Sequence, residues 1–169
     1  FYGLDAKCGT NETVVLLARQ HPEKFVYFAN EVADIEEAPA VIRPFLKRGA
    51  IGIGEQKFRV GSDSKFMERL ASLAEEFGVP ILMHFQHGVY NTDIQNFHKT
   101  LEKFPKVNFI GHAQTWWGNV DAKHEQKVLY PTGKVTPGGI TDRMLADYPN
   151  MFGDHSAGSG LNFLVRDPE

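Results

Sequence analysis

Two short apolar runs in this chain end in histidine. One is ILMHF at 81–85, with His84; 28 positions beyond it, His112 closes the run VNFIGH. A parallel strand covered on both faces reads as nearly continuous apolar residues, and a polar side chain where the run gives out marks the carboxyl rim at which α/β folds keep their chemistry. In a barrel those rims converge, so that His84, His112, Glu55 and Asp154 face one another although they are far apart in sequence. Neutral imidazole and carboxylate oxygen suit Zn²⁺ first, with Mn or Fe as alternatives, and such an ion lowers the pKa of bound water toward about 7. The expected metal ligands are His84, His112 and Glu55, and the expected catalytic groups His112 and Asp154.

Each of these residues also has an ordinary reading. A single histidine is more often a satisfied core or surface residue than a ligand, and His21, His98 and His124 are read that way. Two histidines closing consecutive strands are a less ordinary coincidence. Glu55 and Lys57 lie two apart in a strand and hence on one face, where they could simply pair with each other. Asp154 suits a cap on the turn after it. His87, Lys57, His155 and Ser156 are placed around the site as substrate-binding or supporting groups. Trp116 and Trp117, just after His112, either contact substrate or pack beneath a loop.

Periodicity and punctuation locate the strands and helices that carry these groups. Residues 1–10 read as a loop leading to a cap at Thr10 or Asn11 and a helix to about residue 20, stopped by His21-Pro22. The aromatic and β-branched run FVYFA at 25–29 reads as a first strand. In the next segment, closed by Gly49, a helix competes with a kink, because Pro39 suits a first helical turn while Pro44 would kink any helix continuing through Ile42, Phe45 and Leu46. Residues 50–58 form a second strand whose glycines permit close approach, and 63–77 the clearest helix, with Phe66, Met67, Leu70, Leu73, Ala74 and Phe77 on one face and Gly78 as its stop. After the third strand, Thr92 and Gln95 give a capping-box pattern for a helix to 104, with Ile94, Phe97, Leu101 and Phe104 buried. A strand at 107–111, a long connection at 114–139 with the character of a functional loop or lid, a short helix at 141–148 and a fifth strand at 151–154 complete the pattern. Strands alternating with helices imply a parallel sheet, and their spacing suits a barrel better than a doubly wound sheet. No phosphate-loop or dinucleotide glycine signature opens any helix.

Composition narrows the class. At 42% hydrophobic and 23% charged, 169 residues make a single globular domain, yet an eight-stranded barrel takes about 250 residues, so only part of one fits. A formal charge of −3, with basic residues scattered among acidic ones, gives no reason to invoke nucleic acid or an anionic membrane. The expected partner is a small-molecule substrate, with homo-oligomerisation left open. Cys8 is the sole cysteine, which excludes an internal disulfide and favours a reducing compartment, and no run approaches the roughly 18 apolar residues of a membrane helix. A cytoplasmic location is expected, with the start at Phe1 pointing to a missing upstream portion.

The strand ends GAIGIGEQKF, PILMHFQHG, NFIGHAQ and NMFGDHSAGSG, in this order and spacing, resemble the amidohydrolase-related metal-dependent hydrolases, including the amidohydrolase 2 group. The resemblance implies an α/β, (β/α)8 TIM barrel represented here by about strands 3 to 7, so that 1–169 is one partial barrel domain. It also implies that His84 ends the fifth barrel strand and His112 the sixth, at or near the metal. Glu55 then ends the fourth, where members of the superfamily place a bridging glutamate or a modified lysine, which makes Lys57 the less direct candidate. The family's His-x-His pair on the first strand and aspartate on the eighth have no counterpart, and Asp154, on the seventh, does not map onto that aspartate. The expected activity is hydrolysis of an amide, ester or lactone by metal-activated water, with this stretch inactive by itself. Decarboxylation or hydration on the same scaffold, a Schiff-base lyase using Lys57 and a non-catalytic barrel segment are the competing expectations.

Overall fold

The computed structural model describes residues 10–167; the expected opening loop up to residue 9, Cys8 included, lies outside them. Among the described residues, four parallel strands, β1 (Ile53–Gln56), β2 (Ile81–His84), β3 (Phe109–His112) and β4 (Met151–Gly153), lie side by side in chain order. That order results when each helical crossover returns the chain beside the strand it has just left. Helices α1 (Asn11–Gln20) and α2 (Ala38–Lys47) precede β1, α3 (Lys65–Phe77) links β1 to β2, and α4 (His98–Lys103) links β2 to β3. Helices α5 (Gln114–Gly118) and α6 (Ile140–Asp147) lie between β3 and β4, and α7 (Ala157–Arg166) comes after β4.

Helix α3 behaves as its pattern requires. The Ser64 side chain accepts from the Met67 amide at 3.4 Å, Gly78 closes the helix at φ +64°, and Met67, Leu70, Ala71, Leu73 and Ala74 are buried. Helix α2 continues through Pro44. Its buried face of Ala38, Ile42 and Leu46, packed toward α3, outweighs the one backbone bond the proline ring removes.

Elsewhere tertiary pairing overrides local signals. The run at 25–29 is no full strand: it joins β1 through a single bridge, Ala29 to Ile53, and three backbone bonds at 2.9–3.0 Å. Phe28 lies across Gly52, where an added Cβ would stand 2.6 Å from its ring. The second strand shrinks from 50–58 to four residues. The helix expected from Thr92 divides into a 3-10 turn, Ile94–Asn96, and α4. Thr92 is unavailable as a cap because its amide donates to Val60 O at 3.0 Å and its carbonyl accepts from the Ser62 amide at 2.9 Å. The buried stripe of Ile94, Phe97, Leu101 and Phe104 survives the break.

The 114–139 connection is no free lid. It opens with α5, whose Trp116 is fully buried and stacked on Phe85 at 5.7 Å. Asp121 ties down the remainder: Oδ1 accepts from the amides of Lys123 and Thr136 at 2.9 and 3.1 Å, and Oδ2 from Arg166 of α7 at 2.7 Å. No helix among the described residues is long and apolar enough to cross a membrane.

One face of the sheet is closed by helices over Ile53, Ile81, Met83 and Phe109. The other presents Leu82, Ile110 and Phe152, in register across β2, β3 and β4; the first two are half-buried and Phe152 is 48% exposed. Burial on both faces, expected from the apolar runs, therefore holds on the helix side, whereas on the other Leu82, Ile110 and Phe152 stay partly or largely uncovered and His84 and His112 at the strand ends are buried.

Gly111 faces the Trp116 indole so closely that a Cβ would stand 2.4 Å from two ring carbons. Gly111→Ala should lower stability by about 1–3 kcal/mol, read from urea denaturation midpoints. For Asp121, burial pushes the carboxyl up, but the Lys123 amide, the Arg166 guanidinium and the Thr136 amide together hold it below its ordinary 3.8. Its contribution is present above that value and is lost as pH falls through the lower folded-state one. Asp121→Asn should therefore flatten the acid limb of stability against pH below about 4.

Candidate metal centre

Register brings the histidines together. Ile81, Leu82, Met83 and His84 pair in order with Phe109, Ile110, Gly111 and His112, so the two imidazoles end neighbouring strands directly opposite each other, with ring centroids 5.5 Å apart. The ladder continues past β4, where the Asp154 amide donates to Gly111 O at 2.9 Å and sets Asp154 beside His112. Glu55 arrives from β1 by a slip in register. Between Ile53 and Gln56 that strand advances three residues while β2 advances two, from Ile81 to Met83. One extra residue in a strand re-aims the side chains next to it, and Glu55 is buried at the strand ends with His84 and His112.

The result is a cluster of three buried groups, Glu55, His84 and His112, whose ligand atoms lie within 4.8 Å of one another. His84 Nδ1 contacts Glu55 Oε1, and His112 Nε2 stands 3.6 Å from the same oxygen. The other nitrogen of His112, Nδ1, is 3.1 Å from Asp154 Oδ2 and 3.4 Å from Ser156 Oγ, while that hydroxyl donates to Asp154 Oδ2 at 2.6 Å. A carboxylate that accepts a hydrogen bond from Nδ1–H fixes the tautomer and leaves Nε2 with the free lone pair, the usual support for a histidine ligand. Burial is the main influence that lowers the His112 pKa from its ordinary 6.5, against the raising pull of Glu55 and Asp154. Burial thus favours the neutral ring, the form that donates a lone pair.

The donor set fits a divalent cation. Ligands at about 2.0–2.1 Å around a tetrahedral ion stand about 3.3 Å apart, so the cluster needs movements on the order of 1 Å to close on one centre. Two imidazole nitrogens and a carboxylate oxygen suit zinc, manganese or iron better than calcium or magnesium, which prefer oxygen alone.

The remaining expected residues divide. Ser156 and Asp154 support His112 directly. Lys57 does not share a face with Glu55, because the strand ends at Gln56; it is exposed, and its Nζ lies 5.6 Å from the Tyr90 ring centroid. Tyr90 in turn packs edge-on against His84 at 5.6 Å. His87 belongs to a cavity of about 310 Å³ that it lines with Gln86, Asn91, Thr92, Thr115 and Gln126, among others. Gln86 connects this cavity to His84, its Oε1 standing 3.4 Å from the ring nitrogen that does not face Glu55. His155 is exposed and stacks on Trp117 at 4.3 Å. Both tryptophans are buried. Trp116 lies under Gly111, and Trp117 stacks on Phe163 at 4.5 Å while its indole N–H donates to Asp154 O at 2.9 Å. His21, His98 and His124 stand outside the cluster.

Sequence reasoning missed Asn30 and Asn91, both 1% exposed. Asn30 ends an apolar run as His84 and His112 do, which is the signal that could have found it. Asn91 gives no such signal, because its role depends on which carbonyls the fold brings within its reach.

No protein-family model matches the chain, and no curated protein matches it. Among solved structures it is similar to an uncharacterised TIM-barrel protein, Bb4693 from Bordetella bronchiseptica, with a TM-score of 0.60 and 19% sequence identity over 90% of this chain and 52% of that one. At that identity the likeness establishes the fold alone: an α/β, TIM-barrel-like arrangement with a parallel four-stranded sheet. The chain spans about half the length of that structure.

The lowered His112 pKa has a signed consequence. The unfolded chain takes up this proton at higher pH than the folded one, so stability falls as pH drops through 6.5 and levels off below the folded-state value. In metal-free protein, His112→Gln should remove this component, seen as a smaller shift of the urea midpoint between about pH 8 and pH 5.

Proposed function

We propose that this chain carries the metal centre of a metal-dependent hydrolase of the amidohydrolase type, acting on an amide, ester or lactone. One observation carries the reading. Glu55, His84 and His112 converge, buried, at the carboxyl ends of three adjacent parallel strands, and Asp154 orients the His112 ring. When bound, the ion, Zn²⁺ first with Mn or Fe as alternatives, supplies Lewis acidity and water acidified toward neutral pH. Glu55 Oε1, His84 Nδ1 and His112 Nε2 are the atoms that would hold it. Three protein donors leave positions open for water, substrate or further ligands. Asp154 keeps the His112 proton on Nδ1, and Ser156 holds Asp154 by donating to its Oδ2. The same donors would serve a decarboxylase or hydratase.

The Schiff-base alternative has less support, since that chemistry needs a lysine stripped of water or set beside another cation, and Lys57 is exposed over an aromatic ring. Borohydride in the presence of a carbonyl substrate should leave Lys57 unmodified by mass spectrometry.

The deciding experiment is metal stoichiometry. Purified chain equilibrated with zinc should retain about one ion per molecule by elemental analysis after gel filtration, with chelator removing it. Glu55→Ala, His84→Ala and His112→Ala should each lose it, while His98→Ala keeps it. Because the chain spans about half the length of its structural neighbour, this chain alone should bind the ion without turnover. Retention of zinc by all three ligand variants would end the proposal.

A further inference from the structure

The register slip that brings Glu55 into the cluster also disturbs the backbone around it. A regular ladder supplies each carbonyl with a donor at fixed intervals; an extra residue breaks that sequence locally, and a buried carbonyl must find a donor elsewhere. At this place the donors are side-chain amides. Asn30 Nδ2 donates to the Glu55 carbonyl, and its Oδ1 accepts from Gln56 Nε2 and, at 3.0 Å, from the Glu31 amide. Asn30 is itself anchored by Asn11, which donates to its carbonyl at 2.7 Å and accepts from its amide at 3.0 Å. From the other side, Asn91 Nδ2 donates both to the Gln56 carbonyl and, at 2.9 Å, to the His84 carbonyl. Asn91 has φ +41°, in a left-handed region that asparagine tolerates better than most residues.

We propose that Asn30 and Asn91 are positioning residues of the metal centre. Their amides hold the main-chain carbonyls of Glu55, Gln56 and His84, and thereby fix the carboxylate and the imidazole of β1 and β2 in their converging orientation. Neither amide is assigned as a ligand. His112 needs no such brace, because β3 pairs with β2 without a slip and Asp154 orients its ring. The functional part of this inference rests on the metal-binding reading; the geometric part stands on hydrogen bonds alone.

Two variants isolate the amides. Asn91→Gly keeps the freedom to adopt positive φ while deleting the side chain, and Asn30→Asp keeps the acceptor while deleting the donor to Glu55 O. Leu73→Ala in α3 serves as a control that lowers stability without touching a strand end. Two readouts are needed: Co²⁺ affinity and visible spectrum, measured against a chromophoric chelator, and the ¹⁵N NMR signal of His84 Nδ1 in metal-free protein. Both variants should bind Co²⁺ about 10- to 100-fold more weakly with an altered spectrum, and His84 Nδ1 should lose the signature of its contact with Glu55. Leu73→Ala should keep wild-type affinity, spectrum and Nδ1 signal. Variants that lose stability but retain all three would overturn the inference. If the wild-type chain takes up no Co²⁺, the metal reading fails while the Nδ1 signal still decides the positioning: displaced in the variants it upholds it, unchanged it overturns it. If Asn91→Gly does not fold, Asn30→Asp decides by the same readouts.

Discussion

The pairing of β2 with β3 governs the geometry of the whole strand-end rim. Parallel strands fix the register of every residue along their length, and a slip of one would send either histidine to the opposite face of the sheet. Because Ile81 stands opposite Phe109, the two imidazoles at the far ends have to meet. The apolar side of this ladder, with Phe85 stacked on Trp116 and edge-on to Phe97, holds the register in place. Packing on one face of the sheet thus sets the position of polar groups on the other.

Against that regular pair, β1 is the irregular partner. A carboxylate could reach the histidines from an unbroken strand only if alternation happened to aim it there, and the additional residue near Glu55 takes the place of that coincidence. The irregularity is tolerable because buried amides complete the hydrogen bonding around it. A polar network in a low-dielectric setting stabilises when all its members are satisfied and destabilises when they are not. Asn11, Asn30, Gln56 and Asn91 therefore belong to the description of this rim as much as the three acidic and imidazole groups do.

The sequence reveals those parts of the structure whose causes are local. Runs such as ILMH and FIGH announce strands through hydrophobicity, and Ser64 and Gly78 bracket α3 through capping chemistry that needs no neighbour. His84, His112 and Glu55 are legible as a set because a rim position is defined once a strand is located. The hidden parts are decided by long-range pairing. Thr92 carries a capping pattern, yet its backbone is committed to Val60 and Ser62. Helix α7 escapes a sequence reading because it opens with AGSG, whose glycines are poor helix formers. Lys57 belongs to the face of Glu55 only by an alternation that stops one residue earlier, and proximity in sequence suggests His155 for the candidate site although its ring stacks on Trp117.

The bond from the Trp117 indole to the carbonyl of Asp154 gives the rim an optical reporter. Indole emission responds to the polarity and charge around its N–H, and here that group touches the main chain of the residue whose carboxylate rests on His112. Tryptophan fluorescence, shared by Trp117 and the adjacent Trp116 with ring centroids 6.3 Å apart, can therefore follow events at the strand ends in real time.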